Sequence, residues 1–415
     1  MFDSLRSLVQ FRKFEFNAAT RKLNKAANIE DLRKICKRRL PRGVFDYIDG
    51  AAEDERTLRK NSSVYAKVAF RPRVLRDVAD IDVSTSVLGS HVSFPLIISP
   101  TGFTRIAHPL GELAISRAAN RRNIPFTLST MATRSIEEIA EGSSSAPSRA
   151  EQESLVAPHN WFQVYVWKDR GLLRELLQRA KESEYEAITI TVDTAVLGRR
   201  ERDIRRGFTL PPKIGLDTLI DGVRHPVWTW GLVANEPIRF ANVVDAATED
   251  GSTAITLSDH VNAQFDQSLS WRDIDWFRNE WNGPIVLKGI QTVEDARIAA
   301  SQELDAIALS NHGGRQLDDA PTPLELIEPV AQAVGGELEI YCDGGIRRGS
   351  DIVKALAFGA TACMAGRPTL YGLGAAGEEG VDWVLDFLRS GMEQTMALIG
   401  AKNLADLGPD SVTWQ

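Results

Sequence analysis

The chain has 415 residues, 43% of them hydrophobic and 25% charged, a composition typical of a soluble globular protein with one large α/β domain or two smaller ones. A net charge of −7 gives no broad attraction for nucleic acid, and no apolar run is long enough to span a membrane. The three cysteines form no CxxC pair, which suits a reducing compartment. We therefore expect a cytoplasmic protein, with peripheral contact to the cytoplasmic face of a membrane as an open alternative.

Residues 1–93 are predicted to form a helical extension that packs on the domain that follows. Within it, residues 29–60 show helical periodicity, and Pro41 begins a new segment. From residue 94 onward, short apolar runs alternate with amphipathic stretches. These β-rich runs lie at 95–100, 125–130, 161–167, 187–193, 284–290, 306–311, 339–345 and 362–367. Eight strands that alternate with helices indicate parallel βα units, so we predict an α/β fold, a TIM (β/α)8 barrel over residues 94–400 with a C-terminal tail at 401–415.

One long segment interrupts this alternation, an insertion at about residues 206–270 after the fourth strand. Because it follows the carboxyl end of a strand, it is expected to lie over the active-site face of the barrel. Its stretch HPVWTWGLV (225–233) carries large apolar side chains, which suit either a lid or a patch that meets a membrane quinone. We favour the lid.

The loops after the last two strands read DGGIRRG (343–349) and AGRP (365–368). Loops at these two positions of a barrel commonly bind phosphate, because glycines let backbone N–H groups approach an anion and arginine adds positive charge. The alternative is that the glycines only form tight turns. The presence of both loops favours a phosphate site.

Lys288 ends an otherwise apolar strand and allows three interpretations. It could be a lysine whose charged end reaches the barrel mouth, a fixed cation beside an electron-rich cofactor ring, or a Schiff-base lysine. The residue itself does not decide among them.

The stretch SNHGGRQLD (310–318) places His312 and Arg315 on either side of two glycines at a strand end. Histidine can take a proton at neutral pH, and the arginine fork matches a carboxylate. The pair suits a site that anchors a carboxylate and deprotonates a neighbouring carbon or hydroxyl, although a lone histidine is more often structural. Asp193 would stabilise the imidazolium, and Arg200 is a second candidate for the carboxylate.

Two tyrosines, Tyr47 and Tyr165, are candidates for a hydroxyl at the site, and each could equally be a buried aromatic. The histidines other than His312 show no metal-ligand spacing, so no metal site is predicted.

Many segments of the chain together resemble the FMN-dependent L-2-hydroxy acid oxidoreductases, the family of glycolate and lactate oxidases and of lactate and mandelate dehydrogenases. The segments that carry the resemblance are FDYIDGAAEDERTL, FRPRVLRDV, SPTGFTRIAHPLGE, TLSTMAT, WFQVYVWKDR, TVDTAVLGRRERD, LKGIQTVEDA, SNHGGRQLD and DGGIRRGSDIVKALAFGA. The resemblance runs from about residue 28 to the end of the chain. It is greatest with the quinone- or cytochrome-linked bacterial L-lactate dehydrogenases.

The resemblance implies a role for each candidate residue. His312 would be the base and Asp193 its carboxylate partner, and Lys288 would lie beside the flavin N1–C2 oxygen. Substrate contacts would come from Tyr47, Tyr165, Arg200 and Arg315. Contacts to the flavin ring would come from Pro100, Thr101, Gly102, Ser129, Gln163, Thr191 and Ser310. The ribityl-phosphate site would comprise Asp343, Gly345, Arg347, Gly366 and Arg367.

Two positions depart from the oxidases and affect the wall of the substrate pocket. Met131 stands where glycolate oxidases carry a tryptophan, and Gly102 stands where oxidases commonly carry an alanine. In the family, a glycine at the second position goes with dehydrogenase behaviour.

The resemblance thus implies an FMN enzyme that oxidises an L-2-hydroxy acid, with L-lactate and pyruvate as the expected pair and a quinone or cytochrome as acceptor. The alternatives are an oxidase that uses O2, an enzyme for a larger or peptide-derived 2-hydroxy acid, and a non-catalytic phosphate-binding barrel. A homotetramer or larger assembly is expected.

Overall fold

A computed structural model describes residues 15–144, 158–205, 216–243 and 264–415. Within these ranges the strands β1 to β12 are Val68–Phe70, Thr85–Val87, Ser90–Val92, Leu96–Ile98, Phe126–Ser129, Asn160–Tyr165, Ala187–Thr191, Ile285–Ile290, Ala306–Ser310, Glu339–Asp343, Ala362–Ala365 and Val412–Trp414. The α-helices α1 to α16 are Ala18–Leu23, Ile29–Arg39, Arg42–Asp49, Arg56–Ser63, Glu112–Asn120, Ile136–Ser144, Arg170–Glu182, Glu201–Arg205, Leu216–Arg224, Pro226–Val233, Ile274–Glu280, Val293–Ser301, Pro323–Val334, Gly349–Ala357, Arg367–Ala376 and Glu378–Ile399.

The eight strands β4 to β11 form a closed parallel barrel, which confirms the predicted fold class. Each predicted apolar run overlaps one of these strands. The barrel closes where β11 pairs with β4, with Cys363 opposite Leu96 and Ala365 opposite Ile98. Because helices cover its outside and side chains fill its inside, strands such as β7 and β9 are buried at every residue.

Apolar side chains fill the amino-terminal half of the barrel. The rings of Trp161 and Tyr341 lie 6.0 Å apart in this interior, and Val87 and Val92 of the β2–β3 hairpin belong to the same cluster. The Leu88 N–H donates to the Glu339 carboxylate at the start of β10, which ties the hairpin to that end. Polar side chains are therefore left for the opposite, carboxyl end of the strands.

Helix α2 shows why the N-terminal segment folds as it does. The side chain of Asn28 accepts a hydrogen bond from the Asp31 N–H, which caps the first turn. Leu32 and Cys36 are buried on one face, and basic residues occupy the last turn, where they oppose the helix dipole. This face packs against α15, with the Cys36 sulfur beside Gly374.

The insertion after β7 contains α9 and α10, whereas residues 206–215 and 244–263 lie outside the described ranges. Within α10 no residue is buried, and Val227, Trp230 and Val233 are exposed, which is not the placement of a closed lid. Trp228 is half-buried and donates to the Ile106 carbonyl. Among the described helices, none is both long and apolar enough to cross a membrane.

Candidate active site

One cavity at the carboxyl ends of the barrel strands collects most of the predicted site residues. Its lining includes Tyr47, Pro100, Thr101, Gly102, Ser129, Met131, Tyr165, Thr191, Arg200, Lys288, His312, Arg315, Asp343, Gly345, Arg347, Gly366 and Arg367. The other three, Asp193, Gln163 and Ser310, hydrogen-bond to lining residues from behind. Gln163 accepts from the Ser129 hydroxyl at 2.8 Å and donates to the Thr191 hydroxyl at 2.9 Å.

The imidazole of His312 is held by Asp193. Its Nδ1 lies 3.0 Å from the Asp193 Oδ1, and the Asp193 side chain is only 3% exposed. This contact orients the ring and leaves Nε2 as the nitrogen available to a ligand. The Tyr165 ring stacks on the imidazole at 6.5 Å. The arrangement is that of a positioned base with a carboxylate to stabilise its protonated form.

The glycine pair after His312 is required by the backbone. Residues 312–314 all have positive φ, at 56°, 65° and 76°. A Cβ on Gly313 would lie 2.5 Å from the Arg367 Nη1, and one on Gly314 would lie 2.7 Å from the Leu58 nitrogen. Glycine therefore permits both the left-handed turn and the close approach of these neighbours. The positive φ of His312 itself is a strained conformation of the kind that occurs at functional sites.

The protonation of His312 leads to a pH prediction. Burial lowers the pKa of His312 below its usual 6.5, and Asp193 partly opposes this effect. The imidazole therefore becomes half protonated only below pH 6.5. We expect kcat/KM for flavin reduction to fall in acidic buffer with a midpoint below pH 6.5, as measured by anaerobic stopped-flow absorbance. A midpoint above pH 7 would contradict a buried base with a lowered pKa.

Arg315 and Arg200 make the adjacent wall strongly cationic. Arg315 Nη1 donates to the carbonyls of Tyr47 and Gly50, at 2.7 and 3.1 Å, and its guanidinium lies 5.0 Å from the Tyr47 ring centroid. Burial and the neighbouring Arg200 lower the pKa of Arg315 to about 9. Within the described chain, the buried Arg200 Nε has no hydrogen-bond partner. These features favour binding of an anion such as a carboxylate.

Lys288 and Asp343 form a buried ion pair at the centre of the cavity floor. The two charged groups lie 2.7 Å apart, and their side chains are 4% and 11% exposed. Asp343 also accepts from the hydroxyls of Ser99 and Ser310. Burial disfavours the charged form of both groups, but the opposite charge of the partner has the larger effect on each. The pKa of Lys288 is therefore raised and that of Asp343 is lowered. A fixed cation is thus present, as one of the three interpretations of Lys288 requires.

The β8 strand bends at this point. The pairing register with β9 shifts between Lys288 and Ile290, and Gly289 between them has φ 112°. A Cβ on Gly289 would lie 2.8 Å from the Asp193 Cβ, so a side chain there would displace the carboxylate that holds the base. Gly289 was not among the predicted site residues, although its place directly after Lys288 was a signal for a bulge.

The far end of the cavity has the features of an anion site. Arg367 begins α15 and donates to the carbonyls of Ile48, Gly50 and Gly313. In the described chain no side chain caps the amino end of α15. Burial lowers the pKa of Arg367, and the nearby positive charge of Arg347 adds to this effect. An arginine at an uncapped helix amino terminus, with a second arginine in the neighbouring loop after β10, favours phosphate.

Three phenylalanines in the cavity wall were not predicted. Phe103 has φ 59° and packs on Phe240 at 5.3 Å, and Phe265 packs edge-on against Tyr165 at 5.3 Å. Phe103 directly follows Gly102, so its position was a usable signal. Phe240 and Phe265 belong to the insertion, and no local pattern indicated that they return to the barrel.

A parallel barrel that gathers a histidine–carboxylate pair and several arginines at the carboxyl ends of its strands suits an enzyme that acts on a small acid beside a phosphate-bearing cofactor. The comparisons agree. The model of the family described as FMN-dependent dehydrogenase matches residues 36–414, so the chain belongs to that family.

Similar proteins and solved structures within this family are named for different substrates. The chain is 41% identical over 411 residues to the "Putative L-lactate dehydrogenase" of Mycobacterium tuberculosis, covering 99% of this chain and 94% of that one. It is 42% identical over 380 residues to glycolate oxidase 3 of Arabidopsis thaliana, covering 92% and 94%. A crystal structure of monotopic membrane protein (S)-mandelate dehydrogenase superposes with a TM-score of 0.87 at 37% identity, covering 94% of this chain and all of that one.

The cofactor of this family is FMN, and the residues present fit it. Arg347, Arg367 and the amino end of α15 would hold its phosphate, and Lys288 would place a positive charge in the adjoining part of the cavity. When bound, FMN supplies an acceptor for two electrons. The chain is thus an FMN-dependent 2-hydroxy acid oxidoreductase.

Proposed function

We propose that the protein oxidises L-lactate to pyruvate and delivers the electrons to a quinone or cytochrome. The observation that carries the proposal is His312, which lines the same cavity as Arg315 and Arg200 and is held from behind by Asp193 at 3.0 Å. Arg315 and Arg200 bind the carboxylate of the acid. His312 takes the proton of the hydroxyl, and Asp193 stabilises the imidazolium that results.

The choice of lactate is supported by the wall around the substrate. Met131 and Phe103 offer an apolar surface for a methyl group, and glycolate has no such group to bury. The name of the Mycobacterium tuberculosis relative also supports lactate. An aromatic acid of the mandelate type is the second candidate, because Phe240 and Phe265 add rings to the same cavity.

Anaerobic reduction tests the substrate directly. The purified holoenzyme is mixed with L-lactate, D-lactate, glycolate or (S)-mandelate, and the loss of flavin absorbance is followed. We expect the highest kcat/KM with L-lactate and none with D-lactate. Faster reduction by (S)-mandelate would replace lactate with the second candidate, and reduction by no 2-hydroxy acid would refute the proposal. Reoxidation by a soluble quinone, compared with O2, then tests the acceptor.

We also propose that the protein contacts a membrane surface through an apolar patch formed by Ile220, Val223, Val227, Trp230 and Val233. These side chains of α9 and α10 are between 47% and 80% exposed. Arg39, which is half-buried, lines a small pocket together with Val227, so a cation adjoins the patch and suits an anionic lipid surface. The (S)-mandelate dehydrogenase structure is described as a monotopic membrane protein, which supports the same arrangement.

Trp230→Glu is expected to lower binding to anionic phospholipid vesicles by roughly tenfold, since a buried aromatic contributes about 1.5–3 kcal/mol. Vesicle co-sedimentation measures the bound fraction. Leu398→Glu is the matched control, because Leu398 is equally exposed at 71% but lies in α16, away from the patch. Both variants should reduce their flavin at the wild-type rate. Equal vesicle binding by the two variants would reject the patch.

A further inference from the structure

The last turn of α3, residues 47–50, is the shared support of two arginines in the site. Arg315 donates to the carbonyls of Tyr47 and Gly50. Arg367 donates to the carbonyls of Ile48 and Gly50, at 3.2 and 2.8 Å. These carbonyls lie at the negative end of the helix dipole, so they suit cationic partners. The substrate-side and phosphate-side arginines therefore depend on the position of one turn.

Asp49 fixes that turn from the side opposite the cavity. Its side chain is 3% exposed and accepts four hydrogen bonds. Arg33 of α2 supplies two of them, at 2.5 and 2.8 Å, Arg202 of α8 supplies one at 2.9 Å, and the Tyr371 hydroxyl of α15 supplies one at 2.8 Å. Burial opposes its charge, but these donors hold the pKa of Asp49 well below its usual range.

We propose that Asp49 is a positioning residue, which sets the affinity of the site for both the substrate carboxylate and the FMN phosphate by fixing the carbonyls that hold Arg315 and Arg367. It touches neither ligand itself, and it does not line the cavity. The proposal deepens the proposed function and rests on it for the identity of the acid. Arg202 joins α8 to the 47–50 turn through Asp49, and it also pairs with Glu55 directly after that turn.

The alternative is that Asp49 serves only to hold α2, α3 and α15 together. The two roles predict different effects when the charge of Asp49 is removed. If Asp49 is structural only, its loss lowers stability and leaves the ligand affinities of the folded protein unchanged. If it positions the arginines, the affinities for two separate anions weaken together, because both arginines rest on the same carbonyls. When an interaction binds the ground state and the transition state equally well, its loss raises KM and leaves kcat nearly unchanged.

Asp49→Asn provides the test. We expect KM for L-lactate, the dissociation constant of pyruvate and the dissociation constant of FMN for the apoprotein each to rise about tenfold, the effect of losing roughly 1.4 kcal/mol of binding. We expect kcat to stay within about threefold of wild type, because His312 and Asp193 are untouched. Spectral titration of the flavin measures both dissociation constants. Asp54→Asn, the same charge change in an exposed residue that pairs with Arg56, is the control and should change none of the three.

Arg202→Gln is the second variant, for the case in which Asp49→Asn does not fold. It removes one donor from Asp49 at a side chain that is 31% exposed, and it should raise the same constants by a smaller factor. Unchanged KM and FMN affinity in a folded Asp49→Asn variant would overturn the proposal. If no hydroxy acid reduces the wild-type flavin, the proposed function fails, whereas the FMN affinity of the variant still decides the role of Asp49.

Discussion

His312→Ala is expected to retain FMN and to slow flavin reduction by L-lactate by about 10³-fold or more. General base catalysis contributes on the order of 10²–10⁴-fold, and here no second base is paired with Asp193 among the described residues. The measurement is the rate of anaerobic bleaching at saturating L-lactate. Because Arg315 and Arg200 remain, KM should change much less than kcat.

Two comparisons make this result specific. His91→Ala removes an exposed histidine in the β2–β3 hairpin, at the opposite end of the barrel, and should bleach at the wild-type rate. Asp193→Asn keeps the imidazole but removes the group that opposes the lowering of its pKa. That variant should be slow as well, with its acidic decline displaced to lower pH. Near-normal bleaching by His312→Ala would exclude His312 as the base.

Asp343→Ala is expected to destabilise the protein by about 3–5 kcal/mol, because it leaves Lys288 as an uncompensated charge inside the barrel. The hydroxyls of Ser99 and Ser310 also lose their acceptor. The measurement is the urea midpoint of the apoprotein, since bound FMN would add its own stabilisation. FMN affinity should fall in the same variant.

The double variant Lys288→Met with Asp343→Leu separates charge from packing. Replacing a buried ion pair by apolar groups of similar volume is often neutral, so this variant should regain most of the lost stability. It should not regain the rate of flavin reduction, because the fixed cation is gone. If the double variant is as unstable as Asp343→Ala, the loss of stability does not come from the unpaired charge of Lys288.

The fold was predictable because each barrel strand can be recognised from its own stretch of sequence. A parallel barrel strand is buried on both faces, so AIALS and AITIT are continuous apolar runs that need no partner to be recognised. The candidate base His312 and the candidate phosphate loops could be proposed from the sequence for a related reason. Each lies directly after such a run, and in a barrel every strand end faces the same side.

The remaining parts of the site depend on contacts between distant parts of the chain. The Lys288–Asp343 pair, the return of Phe240 and Phe265, and the support of Arg315 by the 47–50 turn each join segments that share no local pattern. The exposure of α10 was not predicted, for a different reason. Its apolar composition favoured a buried lid, but composition alone does not distinguish a covered surface from an exposed one.

The pairing of β1 with β12 has a consequence for synthesis of the chain. Val68 lies opposite Trp414, and β4 finds β11 only after more than two hundred further residues. During synthesis both early strands must therefore wait for partners that are made much later, and the barrel cannot close before β11 has emerged from the ribosome. A nascent chain that stops before β11 would leave β4 with an open sheet edge, which is a site for aggregation.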